Sequence, residues 1–137
     1  MYAGLDTSVL VAGLRSKRGA SFQILRAIRA GDIRIAVSVA LVLEYESVVL
    51  RPGLIPHFTA DELRRIVDGL CQLADHQQVF FAWRPFLADA DDDLVLELAV
   101  AASAAFIITP NINHFRGSDS MGVRAITPAT TPGFIRP

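Results

Sequence analysis

The sequence predicts a three-layer α/β/α sandwich with a mainly parallel central sheet, in a single domain of residues 1–137. Short apolar runs rich in β-branched residues alternate with stretches of helical periodicity. These helical stretches separate the strands and can supply the crossover connections that parallel strands need. The chain has 137 residues, is 52% hydrophobic and contains no repeat or linker, so it suits one hydrophobic core.

The first third of the chain predicts two strands and one helix. The short apolar run Tyr2–Leu5 is typical of a buried strand. Ser21 is placed to cap a helix, and Gly31 is placed to end it. Residues 33–37 alternate and are β-branched, which predicts the second strand.

The middle of the chain predicts two helices followed by a third strand. Ser38 should cap a helix that runs through Leu50 and is stopped by Pro52. A Thr-x-x-Glu capping box opens a second helix over residues 59–73. The apolar, aromatic residues 79–83 predict the third strand.

The last third predicts one helix and two strands. Residues 91–102 read as a helix, residues 106–109 as the fourth strand and residues 123–126 as the fifth. Pro128 and Pro132 mark a C-terminal tail or short helix. Strand and helix therefore alternate along the chain, as a parallel sheet requires.

The length of the apolar runs, the N-terminal residues and the cysteine count indicate where in the cell the protein acts. No apolar run reaches the roughly 18 residues that span a bilayer, and the N-terminus lacks the pattern of a secretory signal. The only cysteine, Cys71, cannot form an intramolecular disulfide and lies in an apolar helical pattern, where packing is its expected role. We expect a cytoplasmic protein without a membrane partner.

Local charge, rather than net charge, would have to attract a nucleic acid. The net charge is −1, so the whole chain exerts no attraction on phosphates. Arg15, Lys17 and Arg18 cluster in a loop that contains serine and glycine. Guanidinium groups suit bidentate phosphate contacts, which makes this cluster the candidate RNA-binding segment, although a solvated loop has the same composition.

Two acidic stretches are the main candidates for a functional site. Asp6 follows the first strand, and three aspartates at 91–93 open a helix. Ligands of open parallel sheets gather outside the carboxyl ends of the strands. A turn or a helix cap would explain Asp6, and complementing a helix dipole is worth about 0.3–1 kcal/mol. Three consecutive acids, with Asp89 nearby, exceed that need, and a cation would relieve their repulsion.

The predicted helix after Ser38 carries two further acids. Glu44 lies at the border between the polar side and an apolar stripe, whereas Glu46 falls nearer the apolar residues Val42 and Val49. The helical periodicity does not choose between the two glutamates. Either one is also compatible with a solvated charge.

The available side chains favour a hard cation. One cysteine and three scattered histidines do not form a zinc pattern, and no Walker, dinucleotide or nucleophile-elbow motif is present. Oxygen ligands alone favour Mg²⁺ or Mn²⁺.

Four segments along the chain contain the candidate acids and their neighbours. They are Leu5-Asp6-Thr7-Ser8-Val9-Leu10-Val11, then Glu44-Tyr45 with Val48 and Arg51-Pro52, then Asp89-Ala90-Asp91-Asp92-Asp93 with Leu98-Ala99, and Ile108-Thr109-Pro110-Asn111 with His114-Phe115. In this order and spacing they resemble the PIN-domain nucleases, and in particular the toxin components of prokaryotic type II toxin–antitoxin systems. The resemblance covers nearly the whole chain.

The resemblance implies a metal-dependent endoribonuclease that hydrolyses RNA phosphodiester bonds with Mg²⁺ or Mn²⁺. Its catalytic and metal-binding acids would be Asp6, Glu44 and Asp92, so the resemblance selects Glu44 over Glu46 and Asp92 over its neighbours. Asn111 would be a further metal ligand. The expected pocket-lining residues are Thr7, Ser8, Asp91, Asp93 and Thr109.

Two positions depart from the family pattern. Ser8 stands where the family often has asparagine, a change that keeps a polar group. Asn111, Asn113 and His114 stand where many members carry a fourth acid, so the metal would be bound more weakly or Asp91, Asp93 or Asp119 would compensate.

Two other functions compete with the nuclease. A haloacid-dehalogenase-type phosphatase would use Asp6 as nucleophile, but its second aspartate, two residues later, is replaced by Ser8. A degenerate, non-catalytic PIN domain could instead bind RNA or protein, and the missing fourth acid favours it.

The sequence also suggests protein partners. Phe80, Phe81, Trp83 and Phe86 cluster in a chain whose apolar content exceeds the need of one small core, and we expect a homodimer. The resemblance implies in addition a cognate antitoxin whose C-terminal segment blocks the acidic pocket.

Overall fold

A computed structural model describes residues 1–79 and 86–135 of the chain, and these form five strands, five α-helices and three short 3₁₀ helices. The strands are β1 Tyr2–Leu5, β2 Arg34–Val37, β3 Asp75–His76, β4 Phe106–Ile108 and β5 Arg124–Ile126. The helices are α1 Thr7–Arg15, α2 Ala20–Ala30, α3 Val39–Val49, α4 Ala60–Leu73 and α5 Ala90–Ala101, and the 3₁₀ helices are Ile112–Phe115, Ser118–Met121 and Thr131–Phe134.

The five described strands form one sheet in the order β3-β2-β1-β4-β5, and every pair is parallel. The predicted α/β/α sandwich with a parallel sheet is therefore confirmed. The chain moves from β1 to β2 and β3 on one side, then crosses to β4 and β5 on the other. The order reverses between β1 and β4, and such a switch point leaves a crevice at the carboxyl edge of the sheet.

The sheet is the centre of the core. Leu5, Ile35 and Ile107 on the three central strands are fully buried. Helix α5 packs on β1 at Gly4, where a Cβ would be in ordinary van der Waals contact with Val95 at 3.4 Å. On the other helices the buried residues recur along one face, as in α4, where Leu63, Val67 and Leu70 are buried.

Helix starts that rest on a side-chain hydrogen bond were largely predictable. Ser38 accepts a hydrogen bond from the Leu41 amide, and Thr59 and Glu62 form the predicted capping box. Gly31 ends α2 in the left-handed conformation. The predicted cap at Ser21 is wrong, because α2 begins at Ala20 after Gly19, which offers no side chain for a cap.

Two elements differ from the prediction. Residues 7–15, for which the sequence predicted no helix, form α1, because Asp6 caps it and Val9 and Leu10 bury its inner face. The third described strand is Asp75–His76, where the sequence predicted none. Val79 lies outside any strand, and residues 80–83 lie outside the described residues. Among residues 1–79 and 86–135, no helix has the length and apolar character needed to span a membrane.

Candidate active site

The site is organised around the carboxyl ends of β1 and β4. Leu5 pairs with Ile108 in the sheet, so the residues that follow them, Asp6 and Thr109, are neighbours although 103 positions separate them. The Asp6 amide donates to the Ile108 carbonyl at 3.0 Å. The Thr109 hydroxyl, which is fully buried, donates to Asp6 Oδ2 at 2.7 Å. This pair lies at the switch point of the sheet, where ligands of such folds bind.

Asp6 has a second structural contact. Its Oδ1 accepts from the Ser8 amide at 3.4 Å as the N-cap of α1. The two carboxylate oxygens therefore contact two different elements, and the side chain is held in one orientation. Thr109 positions Asp6 from within the core and does not line the pocket surface, where we had expected it.

The structure separates the two glutamates of α3. Glu44 Oε2 accepts from the Thr7 hydroxyl at 2.5 Å and lines the same pocket as Asp6. Glu46 lies on the surface, 3.9 Å from Arg64. Between them, fully buried Tyr45 donates its hydroxyl to the Leu5 carbonyl at 2.6 Å, which fixes the rotation of α3 against β1. Glu44 is thereby the acid that faces Asp6.

The aspartates at the start of α5 have separate positions because successive helix residues point about 100° apart. Asp89 is the N-cap and accepts from the Asp91 amide at 2.8 Å. Asp91 and Asp92 line the pocket with Asp6 and Glu44. Asp92 Oδ2 lies 3.4 Å from His114 Nδ1.

Asp93 does not line the pocket, which corrects our expectation. Its Oδ1 accepts from the Leu87 amide at 2.9 Å and from the Phe86 amide at 3.3 Å. The side chain is 9% exposed. Asp93 therefore holds the segment before α5 in place, a structural role that three identical residues in sequence could not reveal.

Replacing Asp93 should damage the fold rather than the chemistry. Asp93→Ala leaves two backbone amides without their carboxylate acceptor, and we expect a loss of about 1–3 kcal/mol in the free energy of unfolding. The measurement is urea denaturation beside Asp61→Ala, an exposed first-turn acid of α4 that should change stability by less than about 0.5 kcal/mol. Equal stabilities of the two variants would contradict the structural role.

The pocket is a cavity of about 460 Å³ at the carboxyl edge of the sheet. Its polar lining comes from β1, α1, α3, α5 and the segment after β4. These residues are Asp6, Thr7, Ser8, Arg15, Glu44, Arg51, Asp89, Asp91, Asp92, Asn111 and His114. Ser8 Oγ is buried and has no hydrogen-bond partner among the described residues.

Crowding raises the proton affinity of two of the acids. Burial, followed by the nearby Asp91 and Asp6 carboxylates, raises the pKa of Glu44 to about 7, although the Thr7 hydrogen bond lowers it. Burial, with Asp6 and Asp89 next, raises the pKa of Asp92 to about 6 against the opposing effect of His114. Five carboxyl groups, of Asp6, Glu44, Asp89, Asp91 and Asp92, line the pocket with only two guanidinium groups, of Arg15 and Arg51, so negative charge is in excess there when the acids are ionised.

These raised pKa values predict that the metal-free protein becomes less stable as pH rises. Between ordinary carboxyl values of about 4 and the folded values, the folded chain binds protons that the unfolded chain releases. The free energy of unfolding should therefore fall from pH 5 to pH 7.5, a window set by Glu44 and Asp92.

Urea denaturation in EDTA at the two pH values tests this slope. Glu44→Gln should flatten it, and Glu46→Gln, on the surface of the same helix, should not. A slope that Glu44→Gln leaves unchanged would show that Glu44 does not titrate in this range.

The oxygen atoms that line the pocket are of the kind that binds a hard divalent cation. They include carboxylate oxygens and the Asn111 amide oxygen, with surplus negative charge. Within residues 1–79 and 86–135, no group of three or more His, Cys, Asp or Glu side chains is arranged to hold a metal ion directly. Mg²⁺ commonly keeps several waters and uses one or two carboxylates, so the pocket suits an ion held partly through water.

The basic residues lie at one end of this acidic pocket. Arg15 and Arg51 line it, and Arg15 with Lys17 also lines a neighbouring cavity. Arg18, the third predicted RNA-binding residue, is exposed and lines neither cavity. Arg51 was named in the sequence only as part of a motif, and its place in the pocket depends on the packing of α3, whose end it follows.

The sequence did not indicate that His114 lines the pocket or that it contacts Asp92. His114 was recognised only as part of a motif, whereas the structure pairs its ring with Asp92. Of the acids that might replace a fourth ligand, Asp91 lines the pocket and Asp119, in the 3₁₀ helix Ser118–Met121, does not.

Comparison with protein families matches residues 3–113 to the family described as PIN domain. The match spans every predicted acid of the pocket. Neither the comparison with curated proteins nor the comparison with solved structures found a match.

Proposed function

This chain belongs to the PIN-domain family, and from that premise we propose that it is a Mg²⁺- or Mn²⁺-dependent endoribonuclease, the toxin of a toxin–antitoxin pair. At the level of reaction class, membership supports a nuclease, which is a hydrolase of phosphodiester bonds. The finer proposal rests on one observation above all. Asp6, Glu44 and Asp92, from three separate elements, line a single pocket whose negative charge is not compensated.

Asp6, Glu44 and Asp92 would hold the cation, with Asn111 as a neutral additional donor. When bound, a divalent ion orients the scissile phosphate, offsets its developing charge and lowers the pKa of an attacking water. The chain prepares this site in advance, since Thr109 orients Asp6 and Thr7 orients Glu44. Preorganised ligands need no rearrangement during the reaction.

Other residues would bind the RNA itself. Arg15 and Arg51 at the rim of the pocket suit phosphate contacts, which position a backbone without reading its sequence. This arrangement supports cleavage within a strand, because it requires no free chain end.

A degenerate, non-catalytic RNA- or protein-binding domain is the second candidate. It is favoured by Asn111 in place of a fourth acid and by the lack of a preformed three-ligand group in the described part of the chain. The two candidates differ in turnover. Purified protein incubated with structured RNAs should cleave in Mg²⁺ or Mn²⁺ and not in EDTA. RNA binding without metal-dependent cleavage would establish the binder.

The toxin role and the partners are further parts of the proposal. Expression of the wild-type chain should arrest growth, and Asp6→Asn should not, if cleavage is the toxic activity. We propose a homodimer, which sedimentation tests directly. A protein that copurifies with the chain and suppresses cleavage would be the expected antitoxin.

A further inference from the structure

A second cavity adjoins the acidic pocket. Its volume is about 480 Å³, within the size range of small-ligand sites, and Arg15 lines both cavities. The aromatic rings of Phe22 and Phe58 contribute to its walls, and Lys17 and His57 to its polar lining. Among the described residues that line it there is no carboxylate, in contrast to the neighbouring pocket.

The close packing of α1 on α2 shapes this cavity. A Cβ at Gly13 would lie 2.6 Å from Leu25 Cδ1 and 3.0 Å from the Ser21 carbonyl oxygen, so the two helices are in close contact at this glycine. Arg15 ends α1, Lys17 lies in the connection, and Phe22 is in the first turn of α2. The three side chains therefore surround one short corner of the chain.

The two aromatic rings that line this cavity differ in how they contact the core. Phe58 packs against the core, whereas Phe22 is half-buried and is not among the residues that pack against the core in the described part of the chain. An aromatic ring half-open to a cavity is a stacking surface for a planar ligand.

The cations at this corner are free to bind a ligand anion. Within residues 1–79 and 86–135, neither Arg15 nor Lys17 forms an ion pair with a carboxylate. Both are exposed. A phosphate next to the acidic pocket would therefore find positive charge on this side, together with an aromatic cavity behind it.

We propose that this cavity is a base subsite for single-stranded RNA. The base of a nucleotide adjacent to the scissile phosphate stacks on Phe22 and Phe58, and its phosphate contacts Arg15 and Lys17. This inference rests on the proposed function for the identity of the ligand. A single strand is required because a base paired within an RNA duplex is not free to enter a side cavity.

The subsite would select among cleavage positions. Stacking on an aromatic ring tolerates every base, because each has a π-face. His57 and Ser16 in the lining can add hydrogen bonds to a base edge. Cleavage should therefore show a preference at one neighbouring nucleotide and little at distant ones.

The test is the affinity for a short single-stranded RNA in EDTA, measured by fluorescence anisotropy. EDTA removes the divalent metal, so RNA affinity can be measured whether or not the protein is a metal-dependent nuclease. Phe22→Leu should weaken binding about tenfold, as expected for the loss of one stacked base, and Phe22→Tyr should retain it. Phe134→Leu is the matched control, since Phe134 packs against Phe106 of β4 with a tilted ring and does not line this cavity.

Abasic substitution, one position at a time, locates the base. In the wild type one position should lose about tenfold in affinity, and in Phe22→Leu the same substitution should cost almost nothing. If every abasic substitution affects the two proteins equally, or if the wild type does not bind RNA, the base subsite is wrong. If the abasic substitution weakens binding in the wild type but not in Phe22→Leu, and the protein does not cleave RNA in Mg²⁺, the base subsite is retained and the nuclease is rejected. Unchanged affinity in Phe22→Leu would leave the cavity to a protein partner.

Discussion

Asp6→Asn should reduce metal-dependent RNA cleavage by at least about a thousandfold, because charge stabilisation by a bound metal is worth several kcal/mol and each 1.4 kcal/mol is a factor of ten. Asp6 is the acid nearest the switch point of the sheet and the one that Thr109 orients. Loss of its charge weakens metal binding without altering the shape of the pocket. The measurement is the initial cleavage rate of both proteins at one Mg²⁺ concentration, chosen to saturate the wild type.

The fold should survive this change. Asparagine is as good an N-cap as aspartate, so the contact with the Ser8 amide can persist. The Thr109 hydroxyl can accept a hydrogen bond from the new amide instead of donating one. Because the Asp6 charge contributes to the raised pKa values of Glu44 and Asp92, its removal should leave the metal-free melting temperature equal or higher.

Asp32→Asn is the control for this experiment. Asp32 is exposed and precedes β2, at the edge of the sheet away from the pocket. It should cleave RNA at the wild-type rate. If Asp6→Asn retains metal-dependent cleavage while folded, Asp6 is not a ligand, and the acids at the start of α5 become the leading candidates.

The sequence reveals the parts of this site that depend on local order along the chain. Asp6 was predictable because it follows an apolar strand, and the carboxyl end of a parallel strand is where ligands gather. The caps at Ser38 and Thr59 follow from hydrogen bonds over three residues. Such contacts are set by neighbouring residues, so a pattern in the chain predicts them.

Contacts between distant segments were not predictable in this way. The choice of Glu44 over Glu46 depends on the rotation of α3, which the Tyr45 hydroxyl fixes on a carbonyl of β1. Asp93 differs from Asp92 in accepting a hydrogen bond from the Leu87 amide instead of lining the pocket. Three identical residues in a row do not indicate which of them takes this structural role. The family resemblance selected Glu44 and Asp92, whereas the residues alone left both choices open.

Mg²⁺ should stabilise the folded protein, and this is the second large effect that we expect. A ligand that binds only the folded state at 100 times its Kd adds about 2.7 kcal/mol. For a domain of this size that is a rise of about 10 °C in melting temperature. The measurement is thermal unfolding in Mg²⁺ against EDTA. Asp6→Asn and Glu44→Gln should lose most of the rise, and Glu46→Gln should keep it.

The pH dependence of this stabilisation distinguishes the pocket from nonspecific binding. Metal binding requires deprotonated ligands, and the pKa of Glu44 is about 7 and that of Asp92 about 6. The rise in melting temperature should therefore be larger at pH 7.5 than at pH 5.5. Without metal, the same ionisation lowers stability as pH rises, so the two curves must diverge. A constant difference between them would place the metal elsewhere on the protein, because carboxylates with ordinary pKa values of about 4 are already ionised at both pH values.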